Sequence, residues 1–175
     1  MLGLHPGTVA LSDYDPQWPQ HFRREADRLH AATGGEGGPI KETAHVGSTS
    51  VPGMIAKPMI DMMVGLHTLA DQPALVGVLE GLGYEYKGEF GIPDRHFFVL
   101  GDPTTHHVHM VLHAGPFWRL NILFRDHLRN HPPEARAYEA LKRELAAKFA
   151  NNREAYTQGK DSFIRAMLGR AGWQG

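Results

Sequence analysis

Short apolar runs, separated by glycine, proline and aspartate, fill the first two thirds of the chain and predict the strands of a sheet. The predicted strands are 40–46, 58–66, 84–87, 96–100 and 106–112. Two other stretches carry apolar residues three and four apart, which predicts helices at 15–32 and 71–82. Asp15 followed by Pro16 suits the start of the first helix, and the glycine-rich residues 33–39 cannot continue it.

Helical spacing takes over in the last third of the chain. Pro116 opens a first helix, Pro132 begins a second, and a third is predicted at 152–168. Glu139 and Arg143, four residues apart, predict an ion pair on the exposed side of the second helix. The pattern as a whole predicts an α+β protein, with a mostly antiparallel or mixed sheet of four or five strands wrapped by five helices. It does not set the order of the strands.

Length and composition narrow the class of protein. The chain has 175 residues, 42% of them hydrophobic, which suits one well-filled domain over residues 1–175. A formal net charge of −1 disfavours a long nucleic-acid partner, because no basic field attracts one. The absence of cysteine excludes disulfides, thiolate metal ligands and cysteine nucleophiles. Since no run approaches the roughly 20 apolar residues of a membrane span, we expect a cytoplasmic protein without membrane contact, and the oligomeric state is left open.

The segment between the first two predicted strands carries the strongest chemical signal. It contains Gly47, Ser48, Thr49 and Ser50, called the bend below. Gly47 lets the backbone approach a ligand closely, and the three residues after it offer hydroxyl and backbone N–H groups that suit phosphate oxygens. We therefore expect the bend to bind phosphate. The alternative is an ordinary glycine, serine and proline connection between two strands.

A single acid lies on the strand that follows the bend. Asp61 sits in the apolar run 59–64, where an uncompensated buried carboxylate would cost on the order of several kcal/mol. Lys57 adds a cation just before that strand. Either Asp61 pairs with Lys57 or an arginine, or it belongs to a site that binds a metal or a phosphorylated ligand.

Three histidines, His106, His107 and His109, lie on the predicted strand 106–112. Because side chains alternate along a strand, His107 and His109 share one face and His106 takes the other. The pair can hold a metal or contact a phosphate, or its rings can simply be satisfied by backbone hydrogen bonds. If Asp61 lies nearby, one carboxylate and two imidazoles form a metal-ligand set that suits Zn²⁺, Mn²⁺ or Fe²⁺ more than Mg²⁺.

Further positive side chains can complete a site for an anionic ligand. Arg153, Tyr156 and Lys160 lie three and four residues apart on one face of a predicted helix. Tyr156 could stack on a base or hydrogen-bond a phosphate. Arg125 is a further candidate. The alternative for Arg153 is solvated surface charge, and for Arg125 it is an ion pair within its own helix.

The sequence resembles the GrpB-like family of the nucleotidyltransferase superfamily over nearly its whole length. The resemblance rests on Tyr14-Asp15-Pro16, Trp18, His45 to Thr49, Val51-Pro52-Gly53, Lys57-Pro58, Ile60-Asp61, His107, His109, Trp118, Phe124-Arg125-Asp126, Leu128-Arg129, Tyr138, Leu141-Lys142, Arg153, Tyr156, Lys160 and Phe163. It implies a compact nucleotidyltransferase-like core with a C-terminal helical extension. It also implies that the bend holds phosphate beside a metal-binding carboxylate at Asp61.

The chain departs from the active transferase pattern at one important place. Polymerase-like members of the superfamily present two acids two residues apart, which bridge two Mg²⁺ ions. The residues at that spacing from Asp61 are Met59 and Met63. Because a thioether does not replace a carboxylate as a ligand for a hard cation, the sequence argues against two-metal nucleotidyl transfer.

Three functional hypotheses follow. The first is an enzyme that binds a nucleotide or phosphorylated small molecule and transfers its phosphoryl or nucleotidyl group, with one divalent metal (Mg²⁺, Mn²⁺ or Zn²⁺) at Asp61. Lys57 would offset developing charge, and His107 or His109 would be a metal ligand or a general base. The second is a catalytically degenerate module that binds a nucleotide or phosphate. Because some GrpB-like segments resemble appendages of dephospho-coenzyme A kinases, this module has an implied link to coenzyme A metabolism. The third is a metal-dependent hydrolase that uses the histidine strand.

Overall fold

A five-stranded mixed sheet forms the centre of the computed structural model, which describes residues 2–174. The strands are β1 Ile40–Val46, β2 Ile60–Leu66, β3 Tyr84–Tyr86, β4 His96–Leu100 and β5 His106–Leu112. Their order across the sheet is β1-β2-β5-β4-β3. β2 and β5 run parallel, and every other neighbouring pair is antiparallel. The predicted α+β class and the mixed sheet are therefore confirmed.

Helices cover the sheet and complete the chain. They are α1 Trp18–Ala32, α2 Gln72–Gly81, α3 Pro116–Asn130, α4 Pro132–Lys148, α5 Arg153–Gln158 and α6 Asp161–Arg170. The described residues thus contain six α-helices where the sequence pattern predicts five, because the predicted helix 152–168 is divided at Gly159. Gly159 packs against α4 so closely that a Cβ atom on it would lie 2.6 Å from Leu145 Cδ2.

The two faces of β2 have different surroundings. Ile60, Met62 and Val64 point into the main hydrophobic core, which α1 and α2 complete. Met63 points to the opposite face and packs with Trp118 of α3. Because side chains alternate along a strand, Asp61 lies on this second face.

The C-terminal helices pack onto α3 and onto the segment after the bend. Val51, Leu128, Tyr138 and Met167 form one buried cluster that joins α3, α4 and α6. The predicted ion pair between Glu139 and Arg143 is wrong, because the Glu139 carboxylate accepts a hydrogen bond of 2.7 Å from the backbone N–H of Ile55. α4 is therefore fastened to the segment that connects the bend with β2.

None of the helices within residues 2–174 combines the length and the apolar character that crossing a bilayer requires.

Candidate functional site

The parallel pairing of β2 and β5 brings an acid and a histidine together. Asp61 lies opposite His107 in the register, and Met63 lies opposite His109. The Asp61 Oδ1 and His107 Nδ1 atoms are 2.9 Å apart. His106 points to the other face of the sheet, where burial lowers its pKa to about 4. The predicted alternation of the three histidines therefore holds.

The partners of His107 determine where its proton lies. The Arg153 Nη2 atom is 3.3 Å from His107 Nε2. Because arginine only donates hydrogen bonds, Nε2 accepts, and the proton of the neutral ring lies on Nδ1 and points to Asp61. Burial alone would raise the pKa of the Asp61 carboxyl, but the hydrogen bond and charge of His107, together with the charges of His109 and Lys57, outweigh burial and the net direction is downward. Asp61 is therefore a carboxylate at neutral pH.

Gly47 allows the bend to pass directly over that carboxylate. Its φ is +68° and its ψ is −176°, a conformation that is accessible to glycine almost alone. A Cβ atom at this position would lie 2.5 Å from Asp61 Oδ2. The predicted close approach of the backbone is thus present, and the group it approaches is the acid.

The hydroxyl groups of the bend have separate tasks. Ser50 Oγ donates to the Gly47 carbonyl at 2.6 Å, and Thr49 Oγ1 shares a hydrogen bond of 2.9 Å with His45 Nε2. Both residues are buried. Ser48 Oγ instead accepts a hydrogen bond of 3.1 Å from Lys142 Nζ. Gly47, Ser48 and Thr49 border a cavity, and within the bend Ser48 has the hydroxyl best placed for a ligand.

This cavity has a volume of about 870 Å³ and lies between the bend, the sheet and the C-terminal helices. Asp61 and His107 are at its wall. It is lined by six cationic side chains, those of Lys57, Lys87, Arg95, Lys142, Arg153 and Lys160, and by three acidic ones, those of Asp61, Glu85 and Glu154. Within residues 2–174, Lys87 is the one cation of this set that forms a salt bridge, with Glu85. The other five face the cavity without a carboxylate in ion-pair contact.

Burial lowers the pKa of several of these cationic side chains below its ordinary value. Burial, together with the positive charges of Arg153 and Lys160, lowers the pKa of Lys57 to about 7. Burial also lowers the pKa of Lys142 to about 7. The pKa of Lys160 is lowered for the same reason. Such a cluster is costly without a compensating anion, and ionisable groups perturbed in this way concentrate at functional sites.

Tyr156 forms part of the cavity floor. Lys57 Nζ lies 5.4 Å and Lys160 Nζ 4.7 Å from the centroid of its ring, so both ammonium groups rest on its π-system. The residue is only 1% exposed, which removes the predicted option of stacking on a base. Burial raises the pKa of its hydroxyl to about 12, so the phenol stays protonated. Its role is to position the two lysines.

Lys142 is a site residue that our sequence hypotheses omit. Its side chain is 2% exposed, it donates to Ser48 Oγ and to the Ile55 carbonyl, and its Nζ lies 4.9 Å from the Tyr138 ring centroid. A signal is present in the sequence, because Lys142 continues the spacing of Ala135, Tyr138 and Leu145 on the inward face of α4. A lysine on an apolar stripe has to meet a polar partner.

Arg125 lies outside the cavity and supports the bend from behind. Its Nη1 donates to the His45 carbonyl at 3.2 Å, and its Nε pairs with Asp126 at 2.7 Å. Arg129 Nη2 likewise donates to the Ser50 carbonyl at 2.7 Å. The predicted phosphate contact at Arg125 is therefore replaced by a positioning role, because its guanidinium is already used by the protein backbone and by Asp126.

The predicted metal ligands do not converge. Arg95 Nη1 donates to His109 Nδ1 at 3.3 Å, and burial lowers the pKa of this imidazole to about 4. The rings of Phe97 and Phe117 flank His109 with centroids 5.1 and 5.9 Å away. Among residues 2–174 no group of three or more histidines and acids is placed to hold a metal ion. The side chains of Asp61, His107 and His109 thus do not fit the joint ligand set that we expected.

Comparison with known proteins identifies the family. The family model described as GrpB protein matches residues 8–170. The chain belongs to the GrpB family. A UPF0157 protein of Pseudomonas aeruginosa is 46% identical over 90% of this chain, and the chain spans 65% of that protein's length. The glutamate-rich protein GrpB of Alkalihalophilus pseudofirmus is 33% identical, with 96% of this chain and 98% of the relative covered.

This GrpB-family chain is also similar to a solved structure and to a more distant relative. The crystal structure of the conserved protein GrpB from Enterococcus faecalis superposes with a TM-score of 0.85 at 34% identity, and covers 93% of this chain and 96% of that one. A dephospho-CoA kinase of Mycolicibacterium paratuberculosis is 29% identical over 93% of this chain, which matches 46% of the kinase.

Proposed function

We propose that this GrpB-family chain binds a phosphorylated small molecule or nucleotide in the cavity beside the bend. One observation carries the proposal: five buried or half-buried cations line one cavity without a carboxylate in ion-pair contact, as far as residues 2–174 describe it. Desolvated cations are unfavourable unless a negative charge compensates them. A bound phosphate supplies that charge.

The cavity contains the groups that phosphate recognition needs. Lys57 and Lys160 both lie over the Tyr156 ring, Arg153 is close enough to lower the pKa of Lys57, and arginine and lysine both suit phosphate oxygens. Ser48 and Lys142 add a hydroxyl and a cation at the bend. The volume of about 870 Å³ lies in the range of small-molecule sites and is large enough for a nucleotide.

Binding can be measured directly with Lys160→Met and its matched control Lys41→Met. Lys160 lines the cavity, whereas Lys41 is an exposed lysine on β1. We expect inorganic triphosphate or a nucleotide to raise the melting temperature of the wild type by mass action. Calorimetry should show at least about a tenfold loss of affinity in Lys160→Met, because a charged contact of about 1.4 kcal/mol is removed, and no loss in Lys41→Met.

The proposal is overturned if no phosphate-bearing compound shifts the wild-type melting temperature, or if Lys160→Met binds as tightly as Lys41→Met. The ligand panel should include coenzyme A and dephospho-coenzyme A. The reason is that one relative carries the name dephospho-CoA kinase, although this chain matches less than half of it.

A second candidate function is transfer of a phosphoryl or nucleotidyl group. The contact between Asp61 and His107 at the cavity wall favours it, since a carboxylate that fixes Nδ1–H leaves Nε2 as the proton acceptor of a general base. Arg153 would then turn from His107 to the phosphate. A Mg²⁺ or Mn²⁺ ion at Asp61 would need its further ligands from the phosphate and water, because the neighbouring histidines do not join Asp61 in one ligand set. The hydrolase hypothesis loses its basis for the same reason.

Asp61→Asn separates transfer from binding alone. Asparagine keeps an acceptor for the His107 Nδ1–H but removes a negative charge from beside the cations, so phosphate affinity should stay the same or rise. If the protein is a transferase, product formation is lost in this variant while binding remains. Absence of turnover in both proteins, with binding intact, identifies a binding module.

A further inference from the structure

Phe90 is an aromatic side chain that the fold leaves in the open. It is 69% exposed, and within residues 2–174 the next large apolar residue on the surface, Leu112, is 38% exposed. Phe90 also lines the cavity, as does Phe97 of β4. A large apolar side chain exposed inside a cavity marks a surface for a ligand more often than one on an open face does.

The loop around Phe90 is strained and firmly held. The φ of Phe90 is +48°, which is rare for a bulky residue. The Arg95 guanidinium fixes this conformation, because its Nη2 donates to the Phe90 carbonyl at 2.8 Å and to the Glu89 carbonyl at 3.0 Å. The Glu89 carboxylate in turn accepts from the backbone N–H of Asp94 at 2.7 Å. A strained backbone maintained by its surroundings is a feature of functional sites.

Phe90 and Phe97 together form an aromatic wall. Their ring centroids are 5.3 Å apart and their planes meet at 30°, so the rings are stacked. Arg95 lies over Phe97, with its guanidinium carbon 4.9 Å from the ring centroid. Phe97 and Arg95 thus support the ring of Phe90 from behind, and the exposed π-face of Phe90 suits stacking on a flat ring.

We infer that the exposed ring of Phe90, backed by the buried ring of Phe97, stacks on the base of a nucleotide whose phosphate groups lie among Lys57, Arg153 and Lys160. This inference rests on the proposed function and narrows it from phosphorylated compounds in general to nucleotides. The aromatic wall and the cation cluster border the same cavity, so one ligand of nucleotide size reaches both. An inorganic or aliphatic phosphate would leave the exposed ring of Phe90 uncovered.

Calorimetry on the full chain tests the inference with five probes: inorganic triphosphate, ATP, GTP, CTP and UTP. We expect at least one nucleoside triphosphate to bind wild-type protein about tenfold or more tightly than inorganic triphosphate does. Phe90→Ala should weaken that nucleotide by roughly five- to 100-fold, the range for loss of one stacked base, and should change the affinity for inorganic triphosphate less than about twofold. Phe90→Trp should restore nucleotide affinity and show quenching of its fluorescence on binding.

Each outcome distinguishes the inference from the function it rests on. If none of the five compounds binds wild-type protein, the inference is overturned, and the proposed function falls with it when coenzyme A and the other phosphorylated compounds of the wider panel also fail to bind. If inorganic triphosphate binds as tightly as every nucleotide, or if Phe90→Ala weakens both kinds of ligand equally or neither of them, phosphate binding stands and the aromatic subsite is overturned. Equal melting temperatures of the wild type and Phe90→Ala would show that the variant is folded.

Discussion

At the scale of single residues, Gly47 and Asp61 are fitted to one another. The backbone at Gly47 is in a region reserved for glycine, and its missing Cβ is replaced in space by the Asp61 carboxylate. We therefore expect Gly47→Ala to lower the free energy of unfolding through two effects, backbone strain and a clash with an anion. Their sum should be about 3 kcal/mol or more in urea unfolding.

Gly53→Ala is the matched control for that measurement. Gly53 also has a positive φ, +78°, but a Cβ atom there would meet nothing within 4 Å. It should lose only about 1 kcal/mol, the cost of the backbone conformation. Equal losses in Gly47→Ala and Gly53→Ala would mean that the carboxylate does not confine the bend.

Lys57 should reduce the stability of the ligand-free protein. Its pKa falls from the ordinary lysine value of 10.5, which applies to the unfolded chain, to about 7 in the fold. Between these values the unfolded chain binds more protons, so stability rises with pH. Below pH 7 the penalty is complete, and Lys57→Met should then raise the free energy of unfolding by an amount on the order of 2 kcal/mol. Denaturant titrations at pH 6.5 and 9.5 should show this gain shrinking at the higher pH. A gain that is the same at both values, or also present in Lys41→Met, contradicts the assignment.

At the scale of elements, the bounds of most strands were predictable from the sequence, but the pairing of strands in the sheet was not. Runs of apolar residues between turn residues define the bounds of β1, β4 and β5 as the sequence predicts them. The parallel pairing of β2 with β5, however, joins Asp61 to His107 across 46 residues of chain. No local pattern encodes that partnership, because it depends on how the whole sheet is covered by helices.

The division between α5 and α6 was unpredictable for a related reason. Helical spacing continues through Gly159, and glycine alone only weakens a helix by about 1 kcal/mol. Gly159 packs closely against Leu145, a residue of another helix, and this contact requires the absence of a Cβ atom. Tertiary packing has therefore overridden a local preference.

Two glycine variants test this explanation. Gly77→Ala in α2, where a Cβ atom meets nothing within 4 Å, should raise stability by about 0.5–1 kcal/mol through helix propensity. Gly159→Ala should instead lower stability by about 1–3 kcal/mol, because its Cβ would press on the Leu145 side chain. Thermal unfolding of both variants gives the two signs. A stabilised Gly159→Ala protein would show that the helix break has another cause.

At the scale of the whole molecule, the net charge of the chain does not reveal the local excess of positive charge in the cavity. The chain has a formal charge of −1, yet the cavity gathers six cations and three acids. The sequence did predict that Ser48, Lys57 and Asp61 belong to one site, because all three lie within a stretch of 14 residues. The predicted roles of Arg125 in phosphate binding and of His109 in metal binding do not fit the structure. Only the fold shows that Arg125 donates to a backbone carbonyl and that His109 accepts a hydrogen bond from Arg95.

The field of the cavity should depend on pH near neutrality. Lys57 and Lys142 both have a pKa of about 7, so each loses its charge as the pH rises through that value. Sulfate is a suitable probe, because its own charge is constant over this range. Its affinity, measured by calorimetry, should fall by roughly tenfold or more from pH 6 to pH 8. A constant affinity would show that these two lysines keep their protons.

Three of the six cavity cations lie late in the chain, and their position sets when the cavity is completed during synthesis. All five strands are complete by Leu112, whereas Lys142, Arg153 and Lys160 follow on α4, on α5 and just before α6. A nascent chain that has released only the sheet carries Lys57, Lys87 and Arg95 but lacks the other three cations of the cavity. Under the proposed function, full affinity for phosphate requires that the final helices have left the ribosome, and removal of α5 and α6 by a protease should weaken binding.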